Sequence, residues 1–293
     1  DKKYIYRYLS SNKQINGMFH ISHGMAEHIG RYKWFIQKLN QDNFHVIAYD
    51  HRGHGEQIKK GKLQGHFANK DGWVKVVNDL QGVIINGKTE FPNSKHILFA
   101  HSMGSWIAIS AMLKGLKVDG VILSGSNKLN TFLAKFIKTL TSFLIFFYGN
   151  QSESNLLERL TIGTYNKKFA PNRTPSDWIS SDPLNVDDYV ADPLCGFKKT
   201  LGLWNDFAHG MIEIFDEGNY TKFSSQIPLM LISGNNDPVG GFGEGVNQLN
   251  IFLQKFYKKT ECYIIENEKH EVLSGLKKEE AYSIITRFIL KHV

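Results

Sequence analysis

The stretch that decides the fold is ILFAHSMGSWIAISAML, residues 97–113. Four apolar residues, Ile97 to Ala100, form the kind of short unbroken run expected of a strand covered on both faces. From Ser105 onward the apolar residues recur with helical spacing. Ser102 sits where the strand must turn sharply into the helix. In such a turn the chain crosses itself closely, so the positions two before and two after the serine must be small. Ala100 and Gly104 meet that need; Ala100 stands where a G-x-S-x-G pattern has glycine, but smallness is the requirement. The turn also places the Met103 amide at a helix N-terminus, where free N–H groups favour negative charge. Taken alone, the stretch has a plainer reading, a serine that caps the helix. The rest of the chain has to decide between them.

Strand and helix signals alternate outward from this turn. INGMFHISHG predicts a strand over 15–22, and RYKWFIQKLNQDN predicts a helix. FHVIAYDHRGHG predicts a strand from Val46 to Tyr49 that breaks into a glycine-rich loop. WVKVVNDLQGVIINGK reads as a helix and VDGVILSG as a strand. After Gly125 the rhythm changes to helical patterns and Pro- and Asp-rich turns. Alternation resumes with the strand IPLMLISG at 227–234, then GVNQLNIFLQKFYK, CYIIE and the final helix KKEEAYSIITRFILKHV. Such alternation implies an α/β fold, a mostly parallel sheet flanked by helices. The expected organisation is a core of residues 1–125 and 227–293, with a helical cap of residues 126–226 inserted.

A serine hydroxyl needs a base, and the base needs an acid partner. His270 lies in a loop after the last sheet strand, and Asp237 in LISGNNDPVG follows the strand that resumes after the cap. Both fall at C-terminal strand edges, where parallel sheets build sites. The order Ser102, Asp237, His270 is the serine, acid, histidine order of one known arrangement of these groups. Singly, Asp237-Pro238 reads as a turn and His270 as a loop residue. His101, beside the serine, is expected to point elsewhere, and His292 to be solvated. A second oxyanion donor is expected from a loop after an early strand. SHGMAEHIGRY supplies it: Gly24 permits close approach, and Met25 offers its backbone N–H. DHRGHG (50–55), with His23 and His28 nearby, could suggest a metal. Gly53 and Gly55 instead suggest a tight loop shaped by pairing of Asp50 with Arg52, so no metal is expected.

Together, HGMAEHIGRY, DHRGHG, HSMG, SGNNDPVG and KHEVL resemble the monoacylglycerol lipase and lysophospholipase group of serine α/β hydrolases. DWISSDPLNVDDYVADPLCGF also resembles its bacterial members. The resemblance spans most of the expected core and implies the α/β-hydrolase fold. It further implies Ser102 as nucleophile, Asp237 and His270 as its partners, and the Met25 and Met103 amides as oxyanion donors. Departures are Ala100 for glycine, Gln57 where a small residue often follows DHRGHG, and Lys269 where arginine often precedes the histidine. None removes a catalytic group.

TFLAKFIKTLTSFLIFFYG carries Phe132, Leu133, Phe136, Ile137, Leu140, Phe143 and Leu144 at helical spacing, one broad apolar face, and the stretch is interrupted by Lys135 and Lys138. Core packing is the commoner meaning of such a stripe. The resemblance adds a second use, lining an acyl-chain tunnel or meeting a membrane surface, with Phe143, Phe146 and Gly24 as substrate contacts. The two lysines argue against a membrane span.

Composition bounds the remaining classes. Lys+Arg 35 against Asp+Glu 28 leaves a net charge of +7, and the lysines are scattered. Solvated surface charge explains this better than a nucleic-acid partner. Two cysteines, Cys195 and Cys262, give no disulfide framework, so a reducing, cytoplasmic setting is expected. DKKYIYRYLSSNKQ has no apolar signal core. The sequence thus points to a serine carboxylester hydrolase for single-chain lipid esters, needing no cofactor. Alternatives are a short-chain esterase or acyltransferase on the same residues, or a catalytically quiet binder of a hydrophobic ligand. An aminopeptidase would want an acidic cluster in the cap, and none is evident in the sequence.

Overall fold

The computed structural model describes residues 4–12, 14–220 and 226–293. The cap boundary expected near 226 therefore adjoins residues 221–225, which lie outside the described residues. β1 (Ile5–Tyr8), β2 (Gly17–Ser22), α1 (Lys33–Gln41), β3 (Phe44–Tyr49), α2 (Glu56–Lys59), α3 (Gly72–Glu90), β4 (His96–His101), α4 (Met103–Leu113) and β5 (Gly120–Ser124) form the first part. Then come α5 (Thr131–Tyr148), α6 (Asn155–Leu160), α7 (Pro183–Ala191) and α8 (Leu201–Ile214). β6 (Leu229–Gly234), α9 (Glu244–Gln254), β7 (Thr260–Ile265) and α10 (Lys278–His292) complete it.

The seven strands form one sheet in the order β1-β3-β2-β4-β5-β6-β7. Every pairing is parallel except β1 with β3, where Ile5 faces Tyr49. This is the mostly parallel sheet that the alternation predicts. β1 was not expected: four residues reading IYRY carry too little pattern, and pairing with the β3 edge is what makes them a strand. β2, β3, β4, β5 and β6 are buried along their whole length. Phe19, Ile21, Ile97, Phe99 and Ile122 pack against α1 and α10. Their neighbours Met18, Leu98, Ala100, Val121 and Leu123 pack against α3, α4, α8 and α9. Period-two alternation puts successive side chains on opposite faces, and both faces meet helices, so the strands must be apolar throughout.

Between β5 and β6 the described residues are helices, short 3-10 turns and loops, with a single isolated bridge, Glu153 to Thr200. Asn130 caps α5, Asp182 with Pro183 starts α7, and Thr200 caps α8; each side chain satisfies amides that a helix start leaves free. α5 packs along α8, and α8 lies on α4 and α3.

Candidate active site

Ser102 joins β4 to α4 with φ +50° and ψ −121°, a conformation that non-glycine residues avoid. Such strain costs on the order of 1–3 kcal/mol. It is easily outweighed: Trp106, Ile107, Ile109 and Met112 of α4 are all buried, and each is worth about 1.5–3 kcal/mol. The close crossing is visible at Gly104, where an added Cβ would lie 2.3 Å from the Ser22 carbonyl oxygen. The Ser102 hydroxyl makes no capping bond to α4, which removes the N-cap reading. The side chain instead faces a cavity of about 570 Å³ whose wall includes Gly24, Met25, Ser102, Met103 and His270.

His270 follows β7 and is almost fully buried; its Nδ1 lies 3.0 Å from Asp237 Oδ2. The carboxylate can only accept, so Nδ1 carries the proton and Nε2 is left as the basic atom. Burial alone would lower the His270 pKa, but the charge and hydrogen bond of Asp237 outweigh it and raise it. Asp237 is itself held, since Ser233 Oγ donates to its Oδ2 at 2.9 Å and the Val239 amide to its Oδ1 at 2.8 Å. Gly24 approaches the serine closely: an added Cβ would stand 3.2 Å from Ser102 Cβ.

His101 does not point away from this group. Its ring packs on His270 with centroids 4.6 Å apart, and it lines the cavity. Ser102 is turned out of the strand's plane by its unusual φ, so the alternation that separates neighbouring side chains in a strand breaks at this residue. Trp178, which sequence reasoning missed, covers His270 at 5.2 Å and packs at a tilt against Tyr165 at 5.0 Å. The DW of DWISSDP was the one visible signal, and nothing local says which loop it would reach. Arg52 pairs with Asp79 at 2.6 Å rather than with Asp50. Asp50 instead accepts from Tyr6 Oη and from the amides of Ile29 and Glu56, tying three segments to the loop. His292 is hydrogen-bonded through Nε2 to Glu261 Oε1 at 2.7 Å rather than left to solvent.

Of the three proposed substrate contacts, Gly24 lines the cavity, while Phe143 and Phe146 do not; they are 61% and 83% exposed. α5 turns Leu133, Ala134 and Ile137 toward the cavity instead. By length and composition α5 is apolar enough to cross a membrane, Lys135 and Lys138 notwithstanding; in the fold it docks on α8. The three carboxylates that line the cavity are all engaged. Glu158 pairs with Lys199 at 2.7 Å, Glu271 with Arg31 at 2.7 Å, and Glu27 accepts from the Gly24 amide and Tyr32 Oη.

Among the described residues one group has the donors of a metal site: His28, Asp192 and Cys195, whose ligand atoms lie within 4.8 Å of one another. His28 Nδ1 accepts the Gly30 amide at 3.1 Å, so Nε2 carries the ring proton and donates to Asp192 at 2.8 Å. Burial also pushes the Cys195 thiol up, away from the thiolate a metal needs. The group fits a tie between the His23–His28 loop and the β5–β6 segment better than a cation.

Comparison with known proteins bears on the family and the fold. The family described as serine aminopeptidase, S33 (Hydrolase_4) matches residues 13–275. A monoglyceride lipase homolog of Monkeypox virus is 24% identical over 93% of this chain and 88% of its own length. A monoacylglycerol lipase of Mycolicibacterium smegmatis is 25% identical over 81% of this chain and 77% of its own length. The structure of a thermostable carboxyl esterase from Bacillus coagulans, in complex with glycerol, superposes with a TM-score of 0.90. It is 27% identical, covering 98% of this chain and 93% of that one.

Proposed function

The chain belongs to the Hydrolase_4 family, and from that premise and the site we propose that it is a serine carboxylester hydrolase for single-chain lipid esters. The observation that carries the reading is the opening of a strained serine, a carboxylate-held histidine and two candidate oxyanion amides into one cavity. Ser102 Oγ attacks the ester carbonyl as His270 Nε2 takes its proton. The oxyanion rests on the Met25 and Met103 amides, the latter at the N-terminus of α4. Asp237 stabilises the imidazolium and holds its tautomer. The proton then passes to the leaving alcohol, and water cleaves the acyl-enzyme with His270 again as base. Apolar walls from Leu133, Ile137, Trp178, Phe207 and Met211 suit an alkyl chain.

Residues 126–226 act as a cap over the core of 1–125 and 227–293, with the exposed α5 face meeting lipid surfaces beside Lys135 and Lys138. Names among the relatives, monoglyceride lipase and carboxyl esterase, favour an ester substrate. The family's aminopeptidase description is less well served, because each carboxylate in the cavity already has a partner and none is spare for a substrate ammonium.

A fluorophosphonate probe should label the protein and spare Ser102→Ala, with turnover rising from acetate to long-chain monoacyl esters. Absence of Ser102-dependent labelling refutes the hydrolase reading; turnover confined to acetate and butyrate refutes the lipid substrate.

A further inference from the structure

The loop that carries Met25 is held at one residue, Gly24, by two buried side chains. The Gly24 amide donates to Glu27 Oε1. Its carbonyl oxygen lies 2.8 Å from His23 Nδ1. His23 Nε2 accepts the His51 amide at 3.0 Å, so Nδ1 carries the ring proton and is the donor to Gly24. Glu27 Oε1 also accepts from Tyr32 Oη at 2.7 Å, which anchors the carboxylate to the 29–32 turn. His23 and Glu27 are both essentially solvent-free. A trans peptide is planar, so the Gly24 carbonyl and the Met25 N–H point in opposite directions as one rigid unit. His23, which holds that carbonyl, therefore aims that amide directly, and Glu27, which holds the preceding peptide through the Gly24 N–H, fixes the other side of the Gly24 hinge.

We propose that His23 and Glu27 are positioning residues that clamp Gly24 from both sides and so set the direction of the Met25 N–H. The proposal rests on the reading of that amide as an oxyanion donor. Burial keeps His23 neutral, lowering it to about 3, so its donor survives at working pH. Glu27 is different. Burial, then Glu271, raise its carboxyl to about 7. The groups that face it are Arg31 and Tyr32 from the 29–32 turn, His101 from β4, His270 and Glu271 after β7, and Tyr189 and Cys195 from the β5–β6 segment. Proton uptake by Glu27 weakens a charge-assisted bond to the Gly24 amide, so acid loosens the clamp while it also protonates His270.

The test uses the full chain with Glu27→Ala and Glu27→Gln, the latter keeping a neutral acceptor. Amide hydrogen exchange at Gly24 should be slow in the parent and at least about tenfold faster in Glu27→Ala; unchanged exchange overturns the clamp. In ester hydrolysis Glu27→Ala should lower kcat roughly 10–100-fold with KM moved by less than about threefold, since a misaimed donor is felt in the transition state. Glu27→Gln should fall between, and a parental kcat in both variants overturns the proposal. The acid limb of log kcat/KM should have a slope above one in the parent and one in Glu27→Gln; equal slopes also overturn it. Should the parent show no Ser102-dependent turnover, the hydrolase reading fails and hydrogen exchange alone decides the clamp.

Discussion

α4 and α5 are both rich in apolar residues, and they are buried to opposite extents. Ten of the eleven residues of α4 are buried, but of the eighteen in α5 only Ala134 and Thr141 are. α4 starts at a strained elbow in the middle of the sheet and is wedged under α3 and α8. α5 touches the molecule along one side, where Leu140, Leu144 and Ile145 join a small cluster with Leu157, Leu201 and Trp204. Its other side shows Phe132, Phe136, Phe143 and Phe147 to solvent. Apolar content therefore says that a helix has something to cover, and position in the fold says what covers it. It is on this exposed face that the proposed contact with lipid surfaces rests.

Five substitutions test the contrast. In α4, Ile107→Ala should cost about 2–5 kcal/mol by denaturant unfolding, because a fully buried side chain leaves a cavity. Gly104→Ala should cost about 1–3 kcal/mol and abolish ester turnover, since the new methyl would press on the Ser22 and His23 carbonyls beneath the oxyanion loop. A loss of less than 0.5 kcal/mol in either, on the order of a surface change, would break the account of α4.

Glu27→Gln probes the seam between the elbow and the helical segment above it. Its folded pKa, about 7, lies above the ordinary 4.5. The carboxyl thus stabilises the fold fully below about pH 4.5, and that contribution is lost as pH rises through about 7. Glu27→Gln should accordingly gain stability relative to the parent between pH 5 and pH 8, on the order of 1–3 kcal/mol. Melting curves at the two pH values measure it, and a pH-independent difference would remove Glu27 titration from the picture. Stability gained here while activity falls is the trade-off expected at a functional site.

On α5, Phe136→Ser and Phe143→Ser should each change stability by no more than about 0.5 kcal/mol, while lowering co-sedimentation with anionic lipid vesicles. A large stability loss would mean that the face is covered; unchanged sedimentation would remove the lipid-surface role.

The sheet was legible because its central strands are short apolar runs bounded by turns. β1 was illegible because IYRY becomes a strand only by pairing with β3. That Ser102, Asp237 and His270 each follow a strand was legible, because the strands are, and strand ends in a parallel sheet share one edge. Trp178, the Arg52–Asp79 pair and the packing of His101 on His270 were not, because each partner is remote in sequence or set by a backbone break. The assignment of Phe143 and Phe146 to the substrate side failed for a related reason. A helical apolar stripe wider than one contact face does not say which part turns inward.

The sequence by itself determined that a strand would turn tightly at Ser102, that small residues would flank the turn, and that an acid and a base would follow later strands. Those are properties of short segments, governed by sterics, periodicity and chain order. Only the tertiary structure decided how Gly24 is held, what roofs His270, and which residues of α5 face the cavity. These depend on segments far apart in the chain meeting at particular angles, and local periodicity carries no record of the partner.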